Sequence, residues 1–109
     1  MLHASLQNAV MSPIRYYEFC DVPRAFIAAD TAGTYLLDCP FDDQLDDYPE
    51  FYEVFAMPAL GDELLSGSWA DLSRHALGRL GRVRVSDVRF DASRRREVDL
   101  DGIRQILNQ

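Results

Sequence analysis

The run Ala25-Phe26-Ile27-Ala28-Ala29-Asp30-Thr31-Ala32-Gly33-Thr34-Tyr35-Leu36-Leu37-Asp38-Cys39 decides the fold class. Two apolar stretches flank a short link that contains one glycine, which is the pattern of a β-hairpin. The link lacks the Asn-Gly pair of the strongest hairpin turns. With the turn placed at Ala32-Gly33, paired residue numbers add to 65, and Cys39 faces Phe26.

Working outward, Ile14-Arg15-Tyr16-Tyr17-Glu18-Phe19 is aromatic and β-prone, and Asp21-Val22-Pro23 breaks it. Phe51-Tyr52-Glu53-Val54-Phe55-Ala56-Met57 reads as a further core strand, stopped by Pro58. Residues 68–80 carry helix signals. Ser68 with Asp71 resembles a capping box, and Trp69, Leu72, Ala76, Leu77 and Leu80 share one helical face. Gly78 and Gly81 weaken or end that helix. Val83 to Phe90 reads as a strand whose apolar phase slips, which predicts a bulge near Ser86-Asp87. A short last helix starts after Asp99 and turns Leu100, Ile103, Ile106 and Leu107 to the core.

Strands that precede the helices favour an α+β fold. The expectation is an antiparallel sheet of four to five strands, with one main helix packed on one face and a short C-terminal helix. A partly open small β-barrel with a helix is the alternative. Residues 1–12 read as a flexible N-terminal arm and residues 13–109 as a single α+β domain. Met11 is a possible alternative start.

The chain has 109 residues, of which 48% are hydrophobic, so it can bury a core without disulfides or metal. It carries 18 acids against 11 basic residues and a net charge of −7. That charge argues against nucleic acid, whose binding is driven by Lys and Arg contacts to phosphate, and it suits basic protein partners. The split is uneven: residues 1–66 carry −10 and residues 67–109 carry +3. Every basic residue is arginine, and Asp outnumbers Glu thirteen to five, which fits a GC-rich bacterial genome. No apolar run is long enough for a membrane span, and no convincing signal peptide opens the chain. A cytoplasmic protein without a membrane partner or cofactor is expected.

Function is carried, on this reading, by the acidic loop between Pro40 and Glu50. Asp42, Asp43, Asp46, Asp47 and Glu50 supply carboxylates to steer and pair with a basic protein, and Tyr48 supplies an anchor. The expected role is a small acidic protein-interaction module. Its most concrete form is an inhibitor of the immunity, antitoxin or phage-encoded type that covers a basic surface of a toxin or nucleic-acid enzyme. Two alternatives remain: a metal-assisted hydrolase using the same acids with His75, and a structural protein that homodimerises through its charge asymmetry.

Other features carry less. The loop has no glycine and lacks the alternate-position acids of a calcium loop. Asp71, Ser73 and His75 are triad residue types, but Ser73 and His75 diverge on a helix. Cys20 and Cys39 lie nineteen positions apart, and the hairpin alone does not bring them together. Asp38 beside Cys39 should raise the thiol pKa. Gly78-Arg79-Leu80-Gly81 has the glycine spacing of a KH loop but precedes a strand. Arg94-Arg95-Arg96 with Arg82, Arg84 and Arg89 forms a basic stretch suited to pairing with the acidic half.

Overall fold

The computed structural model describes residues 11–19, 22–59, 67, 69–90 and 97–108, with Glu18, Phe19 and Ala70 described in the backbone alone. Six strands form one antiparallel open sheet: β1 (Met11–Phe19), β2 (Pro23–Asp30), β3 (Gly33–Asp38), β4 (Phe51–Met57), β5 (Gly78–Arg84) and β6 (Glu97–Asp99). Their spatial order is β5-β4-β3-β2-β1-β6. Strands β1 to β5 therefore meander from neighbour to neighbour. The chain then crosses the sheet from the β5 edge and adds β6 outside β1. One α-helix, α1 (Leu100–Leu107), follows directly.

The hairpin forms where its apolar runs placed it, with a different turn. Asp30 pairs with Gly33, so the two-residue turn is Thr31-Ala32 and paired numbers add to 63. The cause is local: Ala32 N–H and Gly33 N–H donate to Asp30 Oδ1 at 2.9 and 3.3 Å. An aspartate that captures the amides ahead of it closes the turn early. Phe26 consequently faces Leu37, not Cys39. The slip of two keeps every side chain on its expected face, because strand alternation has period two.

Each face of the sheet has its own apolar cluster. On one face, Ile14, Phe26, Ala28, Leu37, Tyr52, Val54 and Val83 meet Val88, Val98, Leu100 and Ile103, all buried. Helix α1 covers this face with Leu100 and Ile103, while Ile106 and Leu107 pack half-buried beside them. Its start is fixed by Asp99, whose Oδ1 accepts from Gly102 N–H at 3.0 Å. Arg104 ties α1 to the β2–β3 hairpin through a short ion pair with Asp30 and a 3.3 Å hydrogen bond to Tyr35 Oη. At the far end of the same cluster, the buried Tyr52 hydroxyl donates to Pro23 O at 2.6 Å. The opposite face buries Ile27, Leu36, Met57 and Leu72, with Phe55, Trp69 and Ala76 packed on them.

The expected main helix does not form, and this corrects the fold class. Trp69–His75 is a seven-residue 3-10 turn, and Gly78–Arg84 is strand β5. Among the described residues the sheet has six strands and stays open, with one short α-helix after its last strand, so neither a main helix on a sheet nor a barrel describes it. The apolar spacing is real for Trp69, Leu72 and Ala76, which reach the second cluster. It fails beyond them: Leu77 is 74% and Leu80 46% exposed. Gly78 and Gly81 each penalise a helix by about 1 kcal/mol relative to Ala. Pairing with β4 satisfies the same backbone in a ladder instead.

The expected bulge is present but displaced. Val54 pairs with Gly81 and Phe55 with Arg79, which leaves Leu80 as the extra residue of β5. Residues 85–87, where the bulge was expected, form a short 3-10 turn. Gly81 adopts φ +149°, and a Cβ there would lie 3.3 Å from Leu107 Cδ2. The remaining strand β6 has only three residues and no apolar run to announce it. Residues 1–10, Cys20, Ser68 and the arginines 94–96 lie outside the described residues.

Gly81→Ala is expected to destabilise the protein by about 1–3 kcal/mol, since this backbone region is strained for any residue with a side chain. Gly78→Ala, whose Cβ meets nothing within 4 Å, is expected to be near neutral. Chemical denaturation of both variants checks the pair; equal midpoints would contradict the bulge assignment.

Candidate functional site

The acidic loop is built as a miniature hairpin. Asp42 and Asp47 form an isolated antiparallel bridge, with Asp42 N–H donating to Asp47 O at 2.9 Å and Asp47 N–H to Asp42 O at 3.4 Å. The side chains reinforce it. Asp42 Oδ1 accepts from Gln44 N–H at 2.9 Å and from Leu45 N–H at 3.3 Å, and Asp47 Oδ1 accepts from Tyr48 N–H at 2.7 Å. Asp46 sits at φ 52°, a left-handed turn position that aspartate tolerates better than most residues. Two of the four aspartates thus shape the turn as well as charge it.

The turn holds its charge towards solvent. Asp43, Asp46, Asp47 and Glu50 are exposed and Asp42 is half-buried. Among the described residues, no ion pair joins any of these five to an arginine. Leu45 stands at the tip, 62% exposed, and Phe41 at the base is 47% exposed. Leu45 is an exposed apolar residue that sequence reasoning missed; no periodicity marks a single apolar residue between acids. Tyr48 takes a different position from a free anchor. It is half-buried against the core, meets the Phe41 ring edge-on at 5.2 Å, and carries the Arg24 guanidinium 4.1 Å above its ring. Glu50 lines a separate hollow of about 480 Å³, together with Arg24, Arg84 and Ser86.

The two acids that flank the loop have different fates. Tyr17, Ala25, Asp38, Glu53 and Arg82 form one cross-sheet row, since each is paired with the next across β1 to β5. Glu53 is held by Arg79, whose Nε donates to Oε1 at 2.8 Å, and by Arg82 Nη2 at 3.4 Å from Oε2. The Asp38 carboxylate makes no hydrogen bond or ion pair among the described residues. Burial pushes its carboxyl up from the usual aspartate range, and the neighbouring Glu53 charge adds to the effect.

Asp38 lies on the wall of a groove of about 400 Å³ beside the acidic turn. Tyr17, Trp69, Phe41 and Tyr48 supply its aromatic lining, with Arg24 and Cys39 at the inner end. The Tyr17 and Trp69 rings stack at 6.1 Å with 17° between planes. These residues come from β1, β2, β3, the acidic loop and the 3-10 turn, so only the folded sheet brings them together.

Cys39 is buried, and its Sγ donates to Pro49 O at 3.2 Å. Burial is the main cause of its raised pKa, with Arg24 opposing and Asp38 adding the smallest share. This is an inert thiol at neutral pH. His75 is exposed at the end of the 3-10 turn. Among the described residues, no group of three or more His, Cys, Asp or Glu side chains is placed to share a metal ion. No helix among them is long and apolar enough to cross a membrane. No known protein family, curated protein or solved structure matches the chain.

The folded pKa of Asp38 lies above its unfolded value, so its ionisation opposes folding. Stability falls as pH rises between the two values and stays lower above them. Asp38→Asn is therefore expected to raise the thermal midpoint near neutral pH. The gain should shrink on acidification and vanish below the ordinary aspartate value of 3.8. Thermal unfolding of both proteins across pH checks this, and an unchanged or lowered neutral midpoint would contradict it.

Proposed function

We propose that this protein is a small acidic protein-interaction module that docks a basic protein through the turn from Asp42 to Asp47. The supporting observation is a projecting turn with four aspartates around an exposed leucine, none of them paired with the chain's own described arginines. Charges in this arrangement steer a cationic partner into place, and an apolar tip fills a pocket once contact is made. Phe41 extends the apolar contact at the base.

The role that fits is inhibition without chemistry. A cationic surface that binds nucleic acid presents arginines and lysines spaced for phosphates, and a rigid cluster of carboxylates can occupy them. An immunity, antitoxin or phage-encoded inhibitor of a toxin or nucleic-acid enzyme works in this way. The cytoplasm is the matching compartment, where a free buried thiol such as Cys39 persists reduced. The negative net charge disfavours nucleic acid itself as the ligand.

Capture from an extract of the native host checks the proposal. The wild-type chain is expected to retain a basic protein at about 0.05 M salt and release it at about 0.5 M. The variant with Asp42, Asp43, Asp46 and Asp47 all changed to Asn should lose it at both. Leu45→Ala should weaken retention by about tenfold, as truncation of an apolar hot-spot residue costs about 1–2 kcal/mol. Undiminished capture by the four-fold Asn variant would sink the proposal.

A further inference from the structure

We infer that the aromatic groove beside the acidic turn is a receptor site for an arginine side chain, with Asp38 as the counter-charge. The inference rests on the docking reading and adds to it what the partner must present: an arginine next to the segment that meets the turn.

Three observations converge on it. Asp38 is a half-buried carboxylate without a hydrogen bond or ion pair among the described residues. A charge in that position is short of solvation, and an incoming cation restores what burial removes. The arginines nearest in the cross-sheet row do not supply it, because Arg79 and Arg82 are both taken by Glu53. The groove thus holds a carboxylate that no described arginine neutralises.

The walls select the kind of cation. Tyr17 is 49% exposed and stacks on Trp69, so the groove presents aromatic faces next to the carboxylate. A planar guanidinium stacks on such faces and keeps its edge free to donate to a carboxylate, whereas an ammonium is more strongly hydrated and has no plane to stack. The protein already makes this contact internally: Arg24 lies over Tyr48, and Arg82 and Arg84 lie over Phe51. Arg24 is the one opposing charge on the lining. Its guanidinium is committed to the Tyr48 ring at the inner end, and its Nε is buried.

Trp69 is the only tryptophan in the chain, so its fluorescence reports on the groove alone. Titration with N-acetyl-arginine amide is expected to change that emission saturably. Asp38→Asn should weaken the response by about fivefold, the effect of losing one partly exposed ion pair. Tyr17→Leu should weaken it as well. The four-fold Asn variant of the turn should bind this singly charged probe within about twofold of wild type, since the turn acts through its field on polycationic partners. No saturable change, or equal binding by Asp38→Asn, overturns the inference. An equal response to N-acetyl-lysine amide overturns the guanidinium assignment, and a stronger response to N-acetyl-glutamate amide shows that Arg24 rules the groove instead. Failure of the docking reading appears separately, as partner capture that survives loss of the turn aspartates.

Discussion

Glu53 holds Arg79 and Arg82 together on one face of the sheet, and this pairing decides where the rest of the charge lies. The register of β4 against β5 sets Glu53 opposite Arg82, and the bulge at Leu80 brings Arg79 onto the same side. Arg84 lies over Phe51, and Arg104 is committed to Asp30 across the opposite face. A chain with a strongly negative first half and a positive second half has every electrostatic reason to fold its arginines onto its acids. Among the described residues it does so at Glu53 and Asp30, and not at the turn or at Asp38. Exposed pairs such as those of Glu53 add about 0–1 kcal/mol each, so their importance is positional and not energetic. Stability comes from the two apolar clusters, each burying aromatic and branched side chains away from water.

The open sheet explains why the acidic turn and the aromatic groove lie side by side. Strands β2 and β3 run together, and the chain leaves β3 through Cys39 and Pro40 to make the acidic turn before it returns as β4. Tyr17 near the end of β1 and Trp69 at the start of the 3-10 turn meet beside it. The acidic turn and the groove are therefore one continuous surface, with long-range charge at the tip and an aromatic floor beside it. The turn is stiffened by its own side chains, so on the proposed docking little conformational entropy would be lost.

Much of this was legible in the sequence, and the failures have identifiable causes. Strand β4 matched its expected bounds because alternation and two prolines enclose it. Helix α1 was readable from the Asp99 cap and the spacing of Leu100, Ile103, Ile106 and Leu107. The helix expected over 68–80 failed because a short apolar spacing cannot distinguish one 3-10 turn from a longer helix, and the glycines that weaken a helix also permit a bulged edge strand. Strand β6 is three residues held by pairing with β1, a contact between positions far apart in the chain. The acidic turn was visible as composition, but its geometry depends on hydrogen bonds from Asp42 and Asp47 that no spacing rule reveals. The aromatic groove was invisible because Tyr17, Phe41 and Trp69 belong to three separate segments.

The central claim is that this protein meets cations with the carboxylates of the turn and Asp38, and not with its acids at large. An amide-resolved NMR titration with a hexa-arginine peptide tests this most directly. Chemical-shift changes are expected to concentrate at residues 38–48, with Tyr17 and Trp69, and to leave Glu53, Asp71 and Asp101 nearly unmoved. Changes spread evenly over all acidic residues, or centred on Glu53, would contradict the account.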